Sequence, residues 1–142
     1  MTYDPDNIFA KIIRGEMPSH KVYEDDDVFS FMDIFPQARG HTLVIPKLEA
    51  ENLFDMPDDG LATLIQKTRK VAAAVREVLK PDGVVLTQFN GAAAGQTVYH
   101  IHFHILPRWE SETLGRHAGG GRADDVELAK MAAEIGALLQ AS

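Results

Sequence analysis

Apolar residues recur along this chain with two distinct periods, and the periods divide it into helices and strands. Ile8, Phe9, Ile12 and Ile13 are spaced to share one face of a short helix over residues 7–14, with Asn7 placed to cap it. The longest helical stripe runs from about Gly60 to Leu79. Leu61, Leu64, Ile65, Thr68, Val71, Ala72, Val75, Val78 and Leu79 lie along it, and Lys67, Arg69, Lys70 and Arg76 fall mostly off it. Asp58 or Asp59 is placed to cap its start, and Pro81 with Gly83 closes it. Asp124 and Glu127 have capping-box spacing before a last helix over about residues 124–140, with Leu128, Met131, Ala132, Ile135, Leu138 and Leu139 as its apolar face.

Between the helices the pattern shortens to that of strands. Lys21 to Glu24 and Val28 to Asp33 flank the turn Asp25-Asp26-Asp27, which reads as a solvated hairpin turn rather than a calcium loop. His41 to Ile45 forms a strand stopped by Pro46, Val84 to Phe89 another, and Val98 to Leu106 a long one ended by Pro107. Asn90 to Gly95 is a loop of small residues. The polar stretch Glu110 to Arg122, with three consecutive glycines, is expected to be mobile. Strands compatible with antiparallel pairing, with helices segregated from them, predict an α+β fold in which helices pack on an antiparallel sheet.

The length of 142 residues suits one domain over 1–142, with a core at about 7–109 and a C-terminal extension. A net charge of −7 argues against a nucleic-acid partner, because neutralising a phosphate backbone needs a basic surface. A single small phosphate ester remains compatible, since backbone N–H groups and neutral donors can hold it. No apolar run is long enough to span a bilayer, so no membrane partner is expected. The polar start Met1 to Asp6 does not read as a secretory signal. The absence of cysteine excludes disulfides and thiolate metal sites, and with the polar start predicts a cytoplasmic protein.

Candidate chemistry concentrates in one strand. Side chains alternate along a strand, so His100, His102 and His104 share one face, and Tyr99, Ile101, Phe103 and Ile105 share the other. The second face is ordinary core. Three imidazoles in a row are poor core material and suit two tasks: binding a metal ion, or nucleophilic and acid–base work on phosphorus. The adjoining segment Asn90 to Thr97 favours the second. Its small residues let backbone amides approach a ligand, Gln96 and Thr97 add neutral donors, and it has no carboxylate to support a metal. Read alone, that segment would be a plain connection between two strands.

His100-Ile101-His102-Phe103-His104-Ile105-Leu106 resembles the signature of the histidine triad (HIT) superfamily, with histidines alternating with apolar residues. Residues 7–47, through Ile8-Phe9-Ala10-Lys11-Ile12-Ile13, Phe31-Met32-Asp33-Ile34 and Gly40 to Lys47, are similar to its Hint branch of nucleoside phosphoramidases. Ala94 to Val98 and Leu106-Pro107-Arg108 also resemble the Fhit branch of dinucleoside polyphosphate hydrolases. The resemblance implies that His102 attacks the α-phosphorus of a purine nucleotide and becomes nucleotidylated, its other ring nitrogen oriented by a backbone carbonyl, that of His100. It implies that His104 serves the leaving group and that His100 and His41 position the cluster. Asn90, Gly95, Gln96 and Thr97 would hold the phosphate, Asp33 the ribose, and Ile8, Phe9, Phe31 and Ile34 the base, although periodicity alone reads these four as core. A homodimer with a sheet continued across the interface is implied, and no cofactor. Activity should fall on the acid side of a histidine pKa of roughly 6.5, because only neutral imidazole attacks.

Three departures from the family pattern bear on specificity. The cysteines with which some bacterial members bind a structural zinc are absent. The loop from Asn90 to Gln96 is slightly shorter than in Hint proteins. Glu110 to Ser142 replaces their short ending. The competing readings are a non-catalytic nucleotide sensor or interaction protein, and a metalloprotein using His100, His102 and a further ligand.

Overall fold

Five antiparallel strands form one sheet, β1 (Lys21–Glu24), β2 (Val28–Met32), β3 (Thr42–Pro46), β4 (Gly83–Thr87) and β5 (Phe103–Arg108), in the spatial order β1-β2-β3-β5-β4. Three helices, α1 (Ile8–Ile13), α2 (Asp58–Leu79) and α3 (Asp125–Gln140), cover its two faces. The computed structural model describes residues 2–112 and 121–140. The mobility expected of Glu110 to Arg122 falls mainly on residues 113–120, outside the described residues.

The two faces form separate cores. Val28, Met32, Val44, Ile101 and Ile105 pack with Leu64, Val71 and Val75 of α2 and Leu128, Ala132 and Ile135 of α3. On the other side, Phe29, Phe31, Leu43 and Ile45 pack with Phe9 and Ile12 of α1. Each such side chain, fully buried, contributes about 1.5–3 kcal/mol. Cover on both faces explains why β2 and β3 are buried at every position, so that their sequences show runs rather than clean alternation. β4 is an edge strand, only partly covered, with Leu86 exposed.

Several boundaries differ from the sequence reading for identifiable reasons. α2 begins at Asp58 with Pro57 at its N-cap, so Asp58 and Asp59 sit inside the first turn, where their charge favours the helix dipole. Ile65, expected on the buried stripe, is exposed, and Ala74 is buried in addition. The aspartate turn is built by Asp25, whose carboxylate accepts the N–H groups of Asp27 and Val28 and pairs with Lys67.

The largest difference concerns the histidine strand. It starts at Phe103, not Val98, and continues through Pro107 to Arg108. The ladder to β3 ends at the pair Thr42 and Ile105, so Pro107 lies beyond it and its missing N–H breaks no bond on that side. Upstream, the backbone groups are satisfied elsewhere. Ile101 donates to the carbonyl of Ala50, and the carbonyls of Val98 and His100 accept from the side chains of Gln96 and His102. Among the described residues, no helix is long and apolar enough to cross a membrane.

Candidate active site

Register places the site. Phe31, Leu43 and His104 lie in one row across β2, β3 and β5, on the face that α1 covers. α1 stops short of filling this face, and a cavity of about 640 Å³ opens beside it. Its walls include Ile8, Phe9, Phe31, Asp33, Ile34, Thr97, Val98, His102 and His104. The edges of Phe9 and His104 approach the His102 ring, with centroids 4.9 and 4.8 Å away.

The hydrogen bonds assign the ring protons. His102 Nδ1 lies 2.8 Å from the carbonyl of His100. A carbonyl only accepts, so Nδ1 carries the proton and Nε2 carries the lone pair. His41 Nδ1 accepts the backbone N–H of Gln37 at 3.1 Å, which puts the proton of neutral His41 on Nε2. That N–H donates to His104 Nδ1 at 2.9 Å, while Asp33 Oδ2 stands further off at 3.6 Å. His104 therefore holds its own proton on Nε2. The cluster thus places an imidazole lone pair on His102 Nε2 beside an N–H on His104 Nε2.

His100 does not share the cavity. Its Nε2–H donates to the carbonyl of Pro46 at 2.8 Å, and its Nδ1 accepts the hydroxyl of Tyr3 at 2.6 Å. Burial pushes its pKa below the ordinary histidine value, against the opposing effect of the Pro46 carbonyl, and so keeps the ring neutral. Its service to the site is made through its backbone carbonyl. His41 is likewise wholly buried behind His104 and absent from the wall.

The segment expected to hold phosphate is arranged differently. Gln96 is buried, its Oε1 accepting from Gly91 and its amide donating to the carbonyls of Glu51 and Val98. Asn90 accepts from the backbone of Leu53 and exchanges hydrogen bonds with Gln88. Gly95 sits at φ +104°, where a Cβ would come 3.7 Å from the Phe89 ring. None of the three lines the cavity, and of this segment Thr97 does, followed by Val98. Asn90 and Gln96 thus tie the loop together, and Gly95 is exposed on it. A polar side chain beside a site is as well placed to tie a loop as to bind a ligand, and the sequence does not separate the two. Arg39 stacks on Trp109 and Lys47 pairs with Glu24, so neither adds charge to the cavity.

Among the described residues, Asp33, His41 and His104 are the three whose ligand atoms come within 4.8 Å of one another, as a metal would require. Their hydrogen bonds oppose that use. A metal on His41 Nε2 would need the proton placed on Nδ1, which already accepts from Gln37. The pair His100 and His102 offers no better site, since both ring nitrogens of His100 are committed to Tyr3 and Pro46 and the pair cannot supply two ligand nitrogens to one ion.

Tyr3, His20, Arg122 and Asp125 are among the wall or support residues that carry no signal in sequence. Each arrives from an element distant along the chain, and no spacing links it to the triad.

The HIT domain family model matches residues 14–111. A HIT-like protein of Methanocaldococcus jannaschii is 43% identical over 128 residues, 90% of this chain and 97% of its own. The adenylylsulfatase HINT3 of Arabidopsis thaliana is 41% identical over 123 residues, 82% of this chain and 62% of its own. The crystal structure of a Hit-like protein involved in cell-cycle regulation from Bartonella henselae superposes with a TM-score of 0.90 at 49% identity, covering 96% of this chain and 98% of that one. With His102 and His104 set against an apolar slot and these likenesses spanning most of the chain, this protein belongs to the HIT-domain family.

Proposed function

We propose that this chain hydrolyses nucleoside phosphoramidates or dinucleoside polyphosphates through a nucleotidyl-His102 intermediate. The observation that carries the reading is the bond from His102 Nδ1 to the His100 carbonyl, which turns the lone pair of Nε2 into a nucleophile. That lone pair forms a bond to the α-phosphorus as the bond to the leaving amine, phosphate or nucleotide breaks. The leaving group takes the proton from His104 Nε2. The same carbonyl then stabilises the positive imidazole of the intermediate. Water attacks the phosphorus, gives its proton to His104 and returns the electron pair to His102, closing the cycle.

The remaining wall suits a nucleotide. Phe9, Phe31, Ile8 and Ile34 offer an apolar slot for a base, Asp33 an acceptor for ribose hydroxyls, and Thr97 a donor for phosphate. The Arabidopsis relative, an adenylylsulfatase by name, supports an adenylyl group as the part transferred. The partly covered β4 edge supports a homodimer, which light scattering tests.

Single-turnover incubation with an adenosine phosphoramidate, and separately with a diadenosine polyphosphate, tests the reading. An adenylyl adduct located on His102 by mass spectrometry is expected. Full activity in His102→Ala would overturn it, and nucleotide binding without turnover across the panel would favour a sensor. Comparing the two donors assigns the branch.

A further inference from the structure

Two rings reach His104 from opposite sides of β5. His41, which immediately precedes β3, donates to its Nδ1 at 2.9 Å. Phe89 lies against it from the other side, with ring centroids 5.3 Å apart and ring planes at 47°. Phe89 follows the end of β4, and Thr87, two residues before it, is the Cα partner of His104. Because β5 runs between β3 and β4, the nucleotide cavity and Phe89 fall on different sides of the same imidazole.

Phe89 is only half-buried, and the loop after it leaves it so. A Cβ at residue 95 would come 3.7 Å from its ring, but the φ of +104° there favours glycine, so no side chain at 95 covers it. Ala92, Ala93 and Ala94, which complete the loop, are small and exposed. Residues 88–104 include no lysine and no arginine. This side of the triad therefore offers a departing group an aromatic surface and no fixed positive charge from its own segment.

The walls that suit a nucleoside lie toward β2 and β3, where Phe31 and Leu43 stand. A group that departs beside His104 is left the side toward β4. We propose that Phe89 selects this leaving group, favouring donors whose departing group carries an aromatic or apolar surface over those whose departing group is polar. The inference rests on the hydrolase reading and on His104 as the residue that serves the departing group. An aromatic group set against Phe89 removes apolar surface from water on both rings, and offset or edge contact adds attraction beyond the area. A polar group of similar size gives up hydrogen bonds to water there and gains none from a hydrocarbon ring.

The test compares two adenosine phosphoramidates, of benzylamine and of methoxyethylamine, which share the nucleotide and release amines of similar basicity. The ratio of their kcat/KM values is measured on the full chain for the wild type, Phe89→Ala and Phe89→Leu, with thermal melts confirming that each variant folds. The wild type is expected to favour the benzylamide, and Phe89→Ala to reduce that preference roughly three- to tenfold, the effect of one aromatic pair. Phe89→Leu keeps apolar bulk and loses the ring, so it should reduce the preference by a smaller factor. No preference in the wild type overturns the proposal. So does an unchanged ratio in every folded variant, since equal losses on both donors would assign Phe89 to packing on His104 alone. If neither donor is turned over, the hydrolase reading falls, and the same ratio read from dissociation constants by titration calorimetry decides the role of Phe89 separately. Absence of binding by both donors overturns both readings.

Discussion

Tyr3 and His100 stand 97 positions apart in sequence, and the hydroxyl of one donates to the ring of the other at 2.6 Å. The bond fixes more than the tail. With Nε2–H given to Pro46 and Nδ1 accepting from Tyr3, the His100 ring is held at both nitrogens, and its carbonyl is aimed at His102. On the proposed mechanism Tyr3 is therefore a positioning residue for His102. Tyr3→Phe keeps the edge contact between the rings and leaves a buried nitrogen unsatisfied, at a cost of about 1–3 kcal/mol. Urea denaturation should show that loss. Steady-state kinetics should show kcat falling more than KM changes; a folded variant with kcat intact would mean that Pro46 alone suffices.

The same histidine makes stability depend on pH. Burial lowers the pKa of folded His100, so between that value and the ordinary 6.5 the unfolded chain binds the extra proton. The contribution of neutral His100 is thus complete above about pH 6.5 and is lost as the pH falls toward the folded pKa. Denaturation midpoints measured from pH 7.5 to 5.5 should decline, and the decline should flatten in His100→Gln.

If His104 Nε2 delivers the proton to the leaving group, the need for it scales with the basicity of that group. His104→Ala should cost about 10²-fold or more in turnover of an alkylamine phosphoramidate. A nitrophenyl ester of the same nucleotide, whose leaving group needs no proton, should lose far less. Equal losses for both substrates would assign His104 to binding instead.

Gln96 separates framing from phosphate binding. Its side chain ties Gly91, Glu51 and Val98 together in a buried position. Gln96→Ala should lower thermal stability by about 1–3 kcal/mol, with kinetic effects following from a displaced Thr97. A variant of native stability whose only change is a raised KM would restore direct contact with substrate.

Gly136 lies in the interior of α3, where alanine is ordinarily the better helix former by about 1 kcal/mol. Here a Cβ would come 2.6 Å from the backbone carbonyl oxygen of Val22, a group that cannot swing aside. Gly136→Ala should therefore destabilise the chain, by about 1–3 kcal/mol from overpacking. A raised melting temperature would show that α3 can lift off β1 without penalty.

Short-range rules reached the elements because their causes are local. The stripe on α2, the cap of α3 by Asp124 and the alternation that buries Ile101 and Ile105 opposite the histidines all depend on neighbours within a few residues. The same alternation set His102 and His104 side by side. It extended too far at His100, because residues 98–102 satisfy their backbone through Ala50 and side chains rather than through a ladder. Pro107 lies inside β5 because the β3 ladder stops before it, a relation that no local spacing carries.

Periodicity and motif were thus enough for the α+β layout and for the pair of imidazoles that face the cavity. Which nitrogen of His100 and of His104 holds a proton depended on the Tyr3 hydroxyl and the His41 Nε2–H, which donate, and on the Pro46 carbonyl, which accepts. Which residues meet the far end of the cavity depended on α3 returning the chain to β1. Neither could be written in local spacing. A hydrogen bond between residues far apart in sequence exists only once packing has excluded water and brought donor and acceptor within about 3 Å of each other.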